Sequence, residues 1–267
     1  DYRLPQNLNE KLSDHVLKST EYSRLAHEGL AVLGGKAPHS HGIFVGGVTV
    51  NIDAYKLIKV KSIIAKLKDF IDNTMQEDMK DIAKYYGDYF KMGGSYNNFM
   101  SFGVFDNYLD PEISYVKPSV AIDGKKQEFD QNKITENILH SWYVSDKENE
   151  KPAEESRDDI DLNKKDAYSF IKSPNYNGYP MEVGPLARLI LAGEYKGGSS
   201  CMDRNVARVL ETKKIIGIME KLAERIKPEA NNQKVYTVPD NAFGVGLTDT
   251  TRGALGHWIK IENKSIR

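Results

Sequence analysis

Apolar residues recur at helical spacing through the first part of the chain. Leu8, Leu12, Val16, Leu25 and Val32 predict a helix over Gln6–Leu33. Gly34 and Gly35 follow, and glycine readily takes the positive φ of a helix C-terminal cap. Asp53 suits the N-cap of a second helix over Asp53–Asp72, with Leu57, Ile58, Ile64, Leu67 and Ile71 on one face. Met75, Met79, Ile82 and Tyr86 continue the helical period. A third long helix is predicted over Met202–Ile226, lined by Val206, Val209, Leu210, Ile216 and Met219 and stopped by Pro228.

Between these helices the pattern changes. "SYVKPSVAIDGKKQEFD" predicts two short strands around Asp123-Gly124, a favoured hairpin pair. A short helix is predicted over Ile134–His140, and another over Pro185–Tyr195, where proline suits the first turn. Residues 146–166 are nearly all charged or polar and predict a solvated loop. The final stretch, "GALGHWIKIENKSIR", alternates like a strand and turns at Glu262–Lys264. Its return strand is barely begun, which predicts an unpaired edge and an excised piece of a longer protein. The pattern divides into a helical segment, 1–95; a small β and irregular segment, 96–180; and a helical segment ending in a truncated hairpin, 181–267. The predicted class is α+β, mostly helical, with small antiparallel β elements.

Composition narrows the chemistry. The chain has 267 residues and a net charge of −1, so no global field recruits nucleic acid or an anionic membrane. No apolar run approaches the ~18 residues that span a bilayer. The opening "DYRLPQNLNE" reads as neither a secretion signal nor a transit peptide. With one cysteine, Cys201, the sequence holds no internal disulfide and no cluster of thiolate metal ligands.

Candidate sites each have a plain alternative. "GGKAPHSHG" lacks the spacing of a phosphate-binding loop, and a helix rather than a strand precedes it. His39 and His41 begin no metal site, because a third ligand is missing at useful spacing. Cys201 opens a helix, where a thiol pKa falls, but no histidine is near it in sequence. Glu182 precedes the helix bearing Arg188 and either serves a site or satisfies that helix's free amides. Arg252 and His257 flank a small-residue turn. The arginine suits a carboxylate partner and the histidine a carbonyl or a proton, and a packed turn accounts for both equally.

Taken together, three long blocks resemble the large subunit of nickel–iron hydrogenases. "LAHEGLAVLGGKAPHSHGIFVGGVTVN" is similar to that family's Gly-Gly-Lys-x-Pro-His loop and the Gly-Gly-Val-Thr after it. "YSFIKSPNYNGYPMEVGPLARL" resembles its block ending Glu-Val-Gly-Pro-Leu-Ala-Arg, and "RGALGHWIKIENKSI" its Arg-Gly-x-Leu-Gly-His-Trp block. "HSWY", His140 to Tyr143, fits as well. The blocks keep the family's order and span nearly the whole chain. Two departures stand out. "DTT", Asp249 to Thr251, replaces the usual Glu-Ala-Pro, and Asn175 stands where relatives often carry arginine.

The resemblance implies the central part of a multidomain fold whose parent enzyme reversibly oxidises H2 to protons and electrons at a nickel–iron centre. It implies a partner small subunit that takes the electrons through iron–sulfur clusters. Four cysteines in two Cys-x-x-Cys pairs hold that centre, thiolates being suited to soft metals. This chain carries neither pair, so no cofactor and no turnover are expected of the chain alone. The resemblance places His39 at the subunit interface, donating toward the nearest cluster or its ligands. By position it makes Glu182 and Arg188 ordering residues, and gives Arg252 and His257 a part in shaping the approach to the metal-bearing tail. Apolar surface left uncovered predicts self-association. The alternative is a non-catalytic interaction module akin to the nickel-free respiratory-complex homologues.

Overall fold

The computed structural model describes residues 2–44, 47–145, 148–152, 159–228 and 235–266. The chain forms two compact units, residues 1–92 with 200–237 and residues 93–199 with 238–267.

The first unit is helical. Helix α1, Gln6–Gly34, ends where Gly35 turns left-handed at φ 82° and donates its N–H to the carbonyl of Ala31. A short hairpin follows, β1 (Ile43–Phe44) with β2 (Gly47–Val48). Asp53 caps α2, Ala54–Phe70, accepting from the Lys56 N–H at 2.8 Å. A π-helical turn over Ile71–Met75 joins α2 to α3, Gln76–Tyr85, without a break. Helix α5, Cys201–Arg225, begins in a reciprocal capping box. The Asp203 N–H donates to Ser200 Oγ at 3.1 Å, and the Ser200 N–H donates to Asp203 Oδ2 at 2.8 Å.

These helices pack as their apolar periods require. Helix α2 lies against both α1 and α5, and Val60 and Ile64 of α2, with Ile71 of the π-helical turn, are buried against Ile216 and Ala223. Tyr22 stacks on Phe70 with ring centroids 3.9 Å apart. Helices α1 and α5 hardly touch each other. Between them lies an apolar groove of about 360 Å³, lined by Leu30 and Leu33, Ile63 and Leu67, and Ile215 and Met219. Two predicted stripe positions face water instead: Val16 is 66% exposed and Ile58 69%.

The second unit is largely β. Strands β3 (Phe99–Ser101), β4 (Ser119–Ile122) and β5 (Lys125–Gln127) form one antiparallel sheet. Asp123 and Gly124 turn between β4 and β5 with φ 49° and 72°, the left-handed pair of a tight hairpin. A second antiparallel sheet has the order β7-β6-β8-β9, from Glu148–Glu150, Ile134–Asn137, Ser173–Tyr176 and Tyr179–Pro180. The short helix predicted over Ile134–His140 is therefore strand β6 followed by a turn. Pairing with Ser173–Tyr176 decides it, and β-branched Ile134 and Thr135 suit that pairing. Within the predicted polar loop, Glu148–Glu150 is strand β7; residues 146–147 and 153–158 lie outside the described residues.

Helix α4, Pro185–Ala192, packs on β3 and stops at left-handed Gly193. Strands β10 (Asn241–Asp249) and β11 (Ala254–Glu262) pair over nine residues, and β12 (Ser265–Ile266) adds two more. The predicted final strand thus has a full partner on one side that the pattern did not reveal. The core joins both sheets through Met100, Phe102, Val120, Ile122, Ile134 and Tyr176. No helix of the described residues is long and apolar enough to cross a membrane.

Candidate functional site

Three sequence blocks of the second unit converge where α4 begins. Gly184, the N-cap, sits at φ 100° and has no side chain with which to cap the helix. Glu182 lies two residues before that N-cap. Its backbone extends the first sheet: the Glu182 N–H donates to the Asn98 carbonyl at 2.8 Å, and its own carbonyl accepts from the Met100 N–H at 3.0 Å.

One turn into α4, Arg188 is 2% exposed. Its Nη1 donates to Asp249 Oδ2 at 3.1 Å and to the Thr250 carbonyl at 2.9 Å. Asp249 ends β10 and is fully enclosed. Its Oδ1 accepts from the Phe102 N–H at 2.8 Å, and its Oδ2 also accepts from Ser101 Oγ at 3.0 Å. The Asp249 N–H donates to the Gly103 carbonyl at 2.9 Å, and the Gly103 N–H donates to Ser101 Oγ at 3.1 Å. Both carboxylate oxygens are thus engaged, as a buried charge requires. Burial pushes the Asp249 carboxyl above its ordinary range, while the Phe102 amide, Arg188 and Ser101 pull the other way.

Beyond Asp249 the chain makes a tight turn. The Thr250 N–H donates to the Gly253 carbonyl at 2.8 Å, the Gly253 N–H returns to the Thr250 carbonyl at 3.2 Å, and Thr250 Oγ1 donates to the Gly253 carbonyl at 3.1 Å. Arg252 lies within this turn and is exposed. The carboxylate nearest to Arg252 in sequence, Asp249, pairs with Arg188. That assignment was hidden because 61 residues separate the partners. Ser101 and Phe102 were missed for the same reason, since nothing local marks them.

The other candidates lie apart from this cluster. His257 is an exposed position of β11, opposite Gly246, while the next residue, Trp258, packs on the core. His39 belongs to the first unit, on an exposed loop whose base is closed by the His41 N–H donating to the Gly34 carbonyl at 2.8 Å. Neither histidine side chain makes a hydrogen bond or ion pair among the described residues. Cys201 is exposed at the start of α5, its N–H donating to the Met92 carbonyl at 2.8 Å.

Among the described residues no three His, Cys, Asp or Glu side chains are grouped to hold a metal ion. A centre gripped by four thiolates does not fit a donor set containing one cysteine. The cluster joins the turn that carries Arg252 to the start of α4.

A family model described as nickel-dependent hydrogenase matches residues 1–198 and 194–267. The periplasmic [NiFeSe] hydrogenase large subunit of Desulfomicrobium baculatum is 31% identical over 277 residues, covering 95% of this chain and 54% of that protein. The hydrogenase-1 large chain of Escherichia coli (strain K12) is 28% identical over 334 residues, covering 99% and 56%. The solved Ni-Fe-Se hydrogenase from D. vulgaris Hildenborough superposes with a TM-score of 0.88 at 30% identity, covering 100% of this chain and 60% of that one. The chain therefore spans a little over half the length of the curated relatives it matches.

Proposed function

The chain belongs to the nickel-dependent hydrogenase family, and from that premise we propose that it is scaffold from a hydrogenase large subunit. The parent protein reversibly oxidises H2 to protons and electrons. Its nickel–iron centre supplies heterolytic cleavage of H2, and the electrons pass to iron–sulfur clusters of a small subunit. The observation that carries this reading is the family match along the whole chain, in which all three sequence blocks keep their order.

The residues of this chain act in support. His39 stands on the interface loop and donates toward the small-subunit cluster nearest the active site or its ligands. Glu182 and Arg188 order the segment at the start of α4. Arg252 and His257 shape the approach to the metal-bearing tail. The 267 residues alone hold no nickel–iron centre and turn over no H2, because they lack the soft donors such a centre needs. Their uncovered apolar surface makes them self-associate.

The test is the assembled parent. Expressed with its small subunit, it should reduce a viologen dye in the presence of H2, and His39→Ala should lower the reduction potential of the nearest cluster in an EPR redox titration. A nickel-replete, small-subunit-bound parent that gives no H2-dependent dye reduction overturns the reading.

A further inference from the structure

The buried charge pair of the second unit is joined to more than itself. A single nitrogen of Arg188 bonds both the Asp249 carboxylate and the Thr250 carbonyl, so it fixes the last residue of β10 and the first residue of the turn that follows. Thr250 and Gly253 close that turn by mutual backbone bonds and a hydroxyl bond. On its far side the turn meets the start of α4. A Cβ on Gly253 would come within 2.4 Å of Val183 and 2.9 Å of the Gly184 nitrogen. Arg252 lies in the middle of this brace, exposed, with no hydrogen bond or ion pair from its side chain among the described residues.

A buried ion pair contributes little net stability over well-packed apolar residues, so its geometry is the better guide to its use. Here the geometry joins two distant segments at one point. Fixing the backbone beneath a long, flexible side chain reduces the freedom that side chain must lose when it engages a partner group. We propose that Arg188 and Asp249 are positioning residues that fix the Thr250–Gly253 turn and so present the Arg252 guanidinium to the working site of the assembled large subunit. The proposal rests on the hydrogenase reading above.

The experiment uses the parent enzyme assembled with its small subunit. Amide hydrogen exchange is followed in peptides covering 245–256, and H2 oxidation is followed in D249N, R252K and the D249N/R252K combination. Because D249N leaves Arg188 buried without its counter-charge, R188M/D249N is measured beside it. Exchange in the turn should rise by about tenfold in both Asp249 variants while peptides from α2 and α5 stay unchanged. With nickel content intact, kcat should fall in D249N and fall little further when R252K is added, since both changes remove one function. Unchanged exchange in the folded R188M/D249N variant overturns the proposal. So do activity losses that multiply in the combination, as independent sites would give. Should the unsubstituted parent lack H2 oxidation, the hydrogenase reading fails, and the exchange result alone still decides whether the pair holds the turn.

Discussion

Gly184 and the carbonyl of Arg252 meet so closely that a Cβ on Gly184 would lie 2.7 Å from that oxygen. Gly184 also holds φ at 100°, a backbone state closed to most side chains. Gly184→Ala should therefore destabilise the second unit by at least about 2 kcal/mol, through strain and collision together. Urea unfolding followed by Trp fluorescence reads this, since Trp142 and Trp258 both lie in that unit. An unchanged midpoint would show that the helix start and the turn are not in contact.

Local signals in the sequence were legible where a few neighbouring residues decide the outcome. Asp53 caps α2, Asp123-Gly124 turns its hairpin and Pro185 opens α4, each as read from the pattern. Long-range pairing was not legible. Ile134–Asn137 is a strand because a partner some forty residues later lies beside it. Strand β10 went unread because Gly244 and Gly246 interrupt its apolar run and most of it is exposed. The site followed the same rule: Arg188 was singled out from its block, but its carboxylate partner became visible only through the fold.

The pH response of Asp249 follows from its burial. Its carboxyl sits above the ordinary 3.8, so the native state keeps the proton to higher pH than the unfolded chain does. Between those two values the native state binds more protons, and stability falls as pH rises. The contribution of this group is complete below 3.8 and is lost as pH climbs through the raised value. Unfolding free energies measured from about pH 3 to pH 8 should show the advantage of wild type over Asp249→Asn shrinking with rising pH. An advantage that grows would reverse the assignment.

Removing only the cation is a separate matter. Arg188→Met leaves a buried carboxylate without its counter-charge and should cost on the order of 3 kcal/mol, read from the same denaturation curves. A loss no larger than that of an exposed arginine on α1, such as Arg24→Met, would mean the pair is not enclosed.

The capping box at the start of α5 should be worth about 1 kcal/mol to the first unit. Ser200→Ala removes the acceptor for the Asp203 N–H, and far-UV circular dichroism during thermal unfolding should report a lower midpoint. Ser200→Thr, which keeps the hydroxyl that accepts from the Asp203 N–H and donates to the Asp203 carboxylate, should recover most of the loss.

The groove between α1 and α5 presents Leu30 and Ile215 on facing helices. Sedimentation equilibrium of the chain should give a mass that rises with concentration, and Ile215→Lys should weaken that rise. A monomer at every concentration contradicts the expected self-association.

The proposed role of these residues is hydrogenase scaffold without the nickel ligands. Nickel content of the purified 267-residue chain, after anaerobic expression alongside the cell's hydrogenase maturation proteins, tests it most directly. Far less than one nickel per chain and no H2-dependent dye reduction are expected. One nickel per chain, retained through gel filtration, would contradict it.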